Sequence, residues 1–271
     1  NEYLKETIEH IDVKQFNTVS LVEAMGKMAF QARNLHRASL IFNQMVKEKE
    51  ITNILCLSGS LISAGLKKTI YTLIETNMVD CLVSTGANII DMDLLEALGF
   101  RHYIGDPKAD DEVLRQHSID RIYDTYISEH DLRVCDGTIT TIANRLSSRP
   151  YSSREFTSAI GEYLVEENLG SDSILRLCYE KKVPIFIPSL SDCAAGFGLV
   201  LHQSKNPKSH ISHDSVRDFS ELGEVVINSN GTGLLIIGGG VPKNFTQDTV
   251  VLAEILGREV PMHKFAVQIT V

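Results

Sequence analysis

The sequence predicts a doubly wound α/β fold, a mostly parallel sheet with helices on both faces, to which a long N-terminal helix and a helical insertion are added. Two observations carry this expectation. Short apolar runs alternate with amphipathic ones through brief joints, the pattern of strand–helix–strand units linked by right-handed crossovers. Four of the apolar runs end in small residues, as strands do at the ligand-binding edge of a parallel sheet.

In chain order, Leu21, Met25, Met28, Ala32, Leu35, Ser39, Phe42 and Val46 recur at alternating steps of four and three, which predicts one long helix over about 19–48. It reads as a helix packed along a domain face, with an oligomer seam as the alternative. "NILCLSGS" is a buried strand. "SAGLKKTIYTLIETN" follows as a helix with Leu66, Ile70, Leu73 and Ile74 on one face and Lys67, Lys68 and Glu75 away from it. "VDCLVSTGAN" and "IIDMDLLEALGF" repeat the strand–helix pair. From about 106 to 170 the pattern is helical and polar, with Ser152 or Ser153 and Glu155 as an N-cap. The alternation then resumes: "VPIFIPSL" as a strand, Asp214 to about Ile227 as a helix, and "GLLIIGGG" as a strand. Pro242–Leu256 follows as a helix whose first turn suits the proline, and "KFAVQITV" closes as a strand. Residues 1–271 read as one α/β domain.

Composition narrows the function. Hydrophobic residues are 43% and charged residues 23%, and no apolar run approaches the roughly 20 residues of a membrane span. The polar start is no signal peptide, and its lack of Met implies a trimmed or incompletely recorded N-terminus. A net charge of −9 without a Lys/Arg run argues against nucleic acid and is compatible with cationic substrates. Cys56, Cys81, Cys135, Cys178 and Cys193 show no C-x-x-C spacing and read as reduced thiols of a cytoplasmic protein.

The four strand ends are "SGS" (58–60), "STGAN" (84–88), "SLSDCAAGFG" (189–198) and "GGG" (238–240). Ends of this kind let backbone N–H groups approach a phosphate beside helix N-termini, so together they point to a nucleotide or dinucleotide. The G-x-G-x-x-G fingerprint is absent, because Gly231 and Gly233 precede their strand instead of following it. Asp93 reads as a charge on its own helix dipole, whereas Asp91 could reach a ribose hydroxyl or an amine. Asp192 is a site candidate among small residues. His210, His213 and Asp214 read as a solvated loop, not a metal site, and no Ser–His–Asp set can be assembled.

Three stretches, "LSGSLISAGLKKTIYTLIETNMVDCLVSTGANIIDMDLLEALGF", "VPIFIPSLSDCAAGFGLVLHQSKNP" and "GLLIIGGGVPKNF", together resemble the deoxyhypusine synthase family, nearest its bacterial deoxyhypusine synthase-like branch. The resemblance implies an NAD-dependent aminobutyl-type transfer from a polyamine such as spermidine, in a homotetramer with sites between paired subunits. The acceptor is either a protein lysine or a small amine, as in relatives that make homospermidine. Carried over by position, Gly59, Ser60, Leu61, Ile62, Ser63, Thr85, Gly86, Ala87, Asp91, Asp192, Gly238, Gly239 and Gly240 are the expected NAD contacts.

The chain also departs from the family. Phe197 stands where synthases proper carry a second aspartate for the polyamine, Asn244 where they carry a histidine, and Cys193 where a glycine is usual. Phe197 and Asn244 are therefore the expected substrate contacts, the ring through cation–π attraction. The family's capture lysine, with its acidic loop and tryptophan, has no counterpart before Val271, which implies a missing tail. No catalytic residue is assigned. The alternative reading is a non-catalytic or regulatory nucleotide-binding homologue.

Overall fold

The computed structural model describes residues 2–270. The predicted long helix is instead a hairpin of α1 (Val19–Met25) and α2 (Phe30–Lys47). Gly26 closes α1, and the chain folds back so that a Cβ on Gly26 would lie 2.7 Å from the His36 ring. His36 Nδ1 sits 3.1 Å from Val22 O, which pins the two helices together. Heptad spacing did not reveal the break, because the apolar stripe stays in phase on both sides of it.

Beyond α2 the chain alternates as expected. β1 (Thr52–Leu57) leads to α3 (Lys67–Glu75), and β2 (Cys81–Ser84) leads through a π-helical turn, Ala87–Asp93, into α4 (Leu94–Ala97). The stretch expected to be helical then holds strands as well. Around α5 (Asp111–Gln116), β3 (Tyr103–Ile104), β4 (Ile119–Ile122) and β5 (Thr125–Ser128) form an antiparallel sheet in the order β3-β5-β4. Four-residue strands joined by two residues offer too few repeats for a period of two to show in the sequence.

α6 (Glu129–Arg145), β6 (Pro150–Tyr151) and α7 (Ser153–Glu166) follow. α7 opens on a capping box: Glu155 N donates to Ser152 Oγ, and Ser152 N donates to the Glu155 carboxylate. Next come α8 (Ile174–Lys181), β7 (Ile185–Phe186), α9 (Ala194–Lys205) and β8 (Ser212–His213), which pairs with β6. The chain continues with α10 (Ser215–Ile227), β9 (Thr232–Ile237), α11 (Gly240–Gln247), α12 (Thr249–Ile255) and β10 (Phe265–Ile269). Gly233 lies inside β9 rather than before it, where a Cβ would strike Met45 of α2 at 2.5 Å.

The main sheet is parallel throughout, in the order β10-β9-β1-β2-β7. The chain moves outward from β1 through β2 to β7, then returns to the other side for β9 and β10. Consecutive crossovers therefore leave β1 and β9 in opposite directions, which opens a crevice at their carboxyl ends. Alternate side chains fill two cores. Leu55, Leu57, Leu82 and Leu235 face the helices α2, α3, α7 and α8, whereas Ile54, Cys56, Val83, Leu234 and Ile236 face α10 and α11. Each such side chain, fully buried, contributes about 1.5–3 kcal/mol, which makes the strand edge a stiff platform. Among the described residues no helix is long and apolar enough to cross a membrane.

Lys67 departs from its expected solvent-facing position. Its side chain is 1% exposed, and Nζ lies 2.7 Å from Glu96 and 2.9 Å from Asp172. The helical wheel of α3 is right, but α4 and the N-terminal segment cover the side it assigns to solvent. His10 Nε2 (2.7 Å) and His102 Nδ1 (2.8 Å) complete the shell of Glu96. Burial opposes ionisation of Glu96, yet these hydrogen bonds and the Lys67 charge hold its carboxyl well below the usual range. Removing one partner strands buried charge, so Lys67→Ala should cost about 3 kcal/mol in urea unfolding. A loss below about 1 kcal/mol, typical of an exposed pair, would show that the network is not load-sharing.

Candidate functional site

The carboxyl ends of β1, β2 and β9 and the segment after β7 enclose a cavity of about 680 Å³, within the range of small-molecule sites. It lies at the crevice where the strand order reverses. Of the residues expected at the cofactor, Gly59, Ser60, Thr85, Gly86, Ala87, Asp192, Gly239 and Gly240 line it. Leu61, Ile62, Ser63, Asp91 and Gly238 do not, and neither do Phe197 and Asn244. Ile62 is fully buried in the core and Ser63 is 2% exposed, so their part of the turn is packed inward. Asn244 is exposed on α11.

Hydrogen bonds brace the rim. Ser58 Oγ donates to Gly239 O across the β1–β9 seam. Thr85 Oγ1 donates to Gly59 O (2.8 Å), and Gln268 Nε2 to Gly238 O (2.9 Å). The small residues have different physical causes. Gly59 (φ +68°) and Gly240 (φ +62°) adopt left-handed backbone, and a Cβ on either would meet no protein atom within 4 Å. Gly239 is extended, with only Gln268 Nε2 at 3.6 Å, so it too leaves room for a ligand. Gly238 and Gly86 are packing positions: a Cβ would meet Ser58 at 2.8 Å in the first case and Cys193 Sγ at 2.4 Å in the second. The glycine at 86 is thus matched to the cysteine at 193.

Ser58, Ser84, Ile122, Pro188, Ser189, Val241 and Pro242 also line the cavity. Ser58, Ser84 and Ser189 stand in the strand-end runs and so were legible in the sequence, whereas nothing in the sequence brings Ile122 of the antiparallel hairpin to this edge. Ser84 is fully buried and its Oγ has no hydrogen-bond partner. A buried hydroxyl left unpaired costs about 1–3 kcal/mol, and a polar ligand in the cavity would supply the missing partner.

Ile122 is also a wall of a second cavity of about 370 Å³, which carries Asp91, Asp120, Glu129 and Asp136 against one cation, Arg133. Arg133 pairs with Glu129 (3.1 Å) and Asp136 (3.3 Å). Burial pushes the Asp91 carboxyl up to about 6, helped by the nearby charges of Asp136 and Asp192 and opposed by the Ala194 N–H. Burial likewise raises Asp120 and Asp136. The surplus of negative charge is the electrostatic character of this cavity. Phe197, 63% exposed, and the aliphatic Ile127 and Leu132 complete its walls.

Both aspartates of "DMD" cap helices other than their own. Asp91 accepts from Ala194 N at 2.6 Å, at the start of α9. Asp93, fully buried, accepts from Ser173 Oγ, Ile174 N and Leu175 N at 2.7–3.0 Å, at the start of α8. Asp93 therefore does not act as the expected charge on its own helix. Both aspartates lie within the π-helical turn Ala87–Asp93. His213 pairs with Asp218 at 2.6 Å and Asp214 caps α10. Among the described residues no group of three or more His, Cys, Asp or Glu could hold a metal. The five cysteines are free and buried, and burial pushes Cys193 up to about 12.

The deoxyhypusine synthase family model matches residues 20–271. The chain belongs to that family. It is 58% identical over 270 residues to a deoxyhypusine synthase-like protein of Chlorobaculum parvum, covering 99% of this chain and 77% of that one. It is 55% identical over 269 residues to the deoxyhypusine synthase-like protein of Elusimicrobium minutum, covering 98% and 72%. The crystal structure of an Entamoeba histolytica protein assigned as a deoxyhypusine synthase superposes with a TM-score of 0.68 at 21% identity, over 96% of this chain and 87% of that one, and shows the shared fold. Membership supports an aminobutyl transferase role.

The matched pair at 86 and 193 is testable. Gly86→Ala should destabilise the protein by about 1–3 kcal/mol through overpacking. Adding Cys193→Gly should recover most of that loss, since both clashing atoms, the sulfur at 2.4 Å and the Cβ at 2.6 Å, belong to Cys193; additive losses in thermal unfolding would refute the pairing.

Proposed function

We propose that this chain is an NAD-dependent aminoalkyltransferase that holds its cofactor in the larger cavity and an amine in the acidic one. The observation that carries the reading is the shared wall at Ile122: a braced, glycine-lined cavity at the strand-order reversal lies directly beside one with surplus negative charge. The open glycines and the unpaired Ser84 hydroxyl fit a dinucleotide with its phosphates over Gly239 and Gly240 at the start of α11. When bound, NAD would supply a hydride acceptor. The chain's own residues do the remaining work. The Asp91 and Asp136 carboxylates attract an ammonium group, while Ile127, Leu132 and Phe197 take its alkyl chain.

Phe197 in place of a carboxylate weakens the claim of a long polyamine on the outer rim, where a ring offers cation–π attraction alone. A short diamine or a polyamine with one end in the acidic cavity fits this lining, and a small amine as acceptor goes with it. Neither cavity is lined by a lysine, so these residues account for cofactor and amine binding rather than for covalent capture.

Incubating the protein with NAD and pairs of di- and polyamines should yield new amines on chromatography; no product from any pair would sink the reading. Gly239→Val should keep the fold, because the backbone there is extended, and lower NAD affinity by at least about tenfold as the side chain fills the cavity. Normal affinity would place NAD elsewhere.

The pH dependence follows from Asp91. Its folded value of about 6 lies above the ordinary 3.8, so the native state holds its proton more tightly than the unfolded chain does. An ammonium ligand favours the ionised form, so amine affinity should climb as pH rises through about 6 and level off once the carboxyl is fully ionised. Asp91→Asn should flatten that rise in a calorimetric titration.

A further inference from the structure

Residues 6–12 run as a strap from β3 to the turn that joins β1 to α3. Ile104 N donates to Glu6 O (2.8 Å), Ile8 N to His102 O (2.9 Å) and Ile11 N to Gly65 O (3.0 Å). At its centre His10 places Nδ1 3.3 Å from Lys67 N and Nε2 2.7 and 2.9 Å from the two oxygens of Glu96. A peptide N–H can only donate, so Nδ1 accepts and Nε2 donates to the carboxylate. The strap lies close: a Cβ on Gly65, at φ +85°, would sit 2.9 Å from Glu9 O.

The turn under the strap is supported from two sides. Internally, Gly65 N donates to Ile62 O and Leu66 N to Leu61 O, at 2.9 and 3.1 Å. From the β2 side, the buried Asn88 takes the Leu61 N–H at 2.6 Å, and Thr85 Oγ1 donates to Gly59 O. The strap is the second support. None of its residues lines the cavity, so whatever it does for a ligand passes through the turn that carries Gly59 and Ser60. It also precedes residues 20–271, the stretch matched by the family model.

We propose that His10 is a positioning residue for the cofactor: by tying the strap to Lys67 N and to Glu96, it holds the 58–66 turn in the form that presents Gly59 and Ser60 to the ligand. The proposal rests on the cofactor reading given above. Because His10 bonds a charged carboxylate, its loss should loosen the turn selectively, since local openings have their own free energies below that of global unfolding.

The test compares full-length wild type, His10→Ala, His10→Gln and the control Lys14→Ala, which removes an exposed pair with Glu75. Amide hydrogen exchange is read at Leu61, Gly65 and Leu66 and, for reference, at Leu55 and Leu235 of the sheet; NAD affinity is measured alongside. His10→Ala should speed exchange at the turn amides by about tenfold more than at the strand amides and weaken NAD by a similar factor. His10→Gln, which can both donate and accept, should restore much of both, and Lys14→Ala should change neither. Unchanged turn exchange in folded His10→Ala would overturn the proposal. So would a uniform increase across turn and strands, which marks His10 as a general stabiliser. If the wild type binds no NAD, the cofactor reading fails on its own, and turn-selective exchange still decides whether His10 positions this segment.

Discussion

The reversal of strand order at β1 and β9 is the constraint on which the rest of this protein depends. Once β1 and β9 send their connections in opposite directions, no helix can cover the carboxyl end between them, and the backbone groups there must find partners in the loops. Ser58 and Gln268 do this across β1, β9 and β10, and Thr85 links the ends of β1 and β2. The resulting crevice has rigid walls because the strands behind it are buried on both faces.

Helix N-termini supply the second organising demand. The starts of α8 and α9 both point their free N–H groups at the segment after β2, and one short run, Asp91-Met92-Asp93, satisfies both. Structure and candidate function meet here. Asp93 is saturated by its cap and enclosed, so its negative charge is spent on α8. Asp91 makes one cap bond and keeps a face on the acidic cavity, where burial raises its carboxyl. Two residues apart, the same side chain type serves as a sealed structural cap and as a titratable wall.

The protein buries negative charge in two opposite ways. Around Glu96, Lys67, His10 and His102 converge, and the carboxylate is held ionised against the penalty of its burial. Around Asp91, Asp120 and Asp136, one arginine stands against several carboxylates, and burial drives their proton affinities up. The first arrangement is complete without a ligand. The second is left with surplus negative charge, which is why the acidic cavity, and not the more deeply buried Glu96 cluster, is proposed as the substrate side.

The strands of the parallel sheet, their buried character and their small-residue ends were legible in the sequence, because continuous apolar runs and glycine turns leave local signatures. So was the family, through motifs spread over those ends. The α1–α2 break, the β4–β5 hairpin and the buried Lys67 were not, since each depends on what a distant segment packs against. Local pattern cannot separate a glycine that makes room for a ligand, such as Gly239, from one that makes room for a cysteine, such as Gly86. The sequence by itself determined which residues end the strands and what chemistry they can offer. Only the tertiary structure decided which of them share a cavity, because the crossovers alone bring Ile122, Asp91 and the glycine turns to one sheet edge.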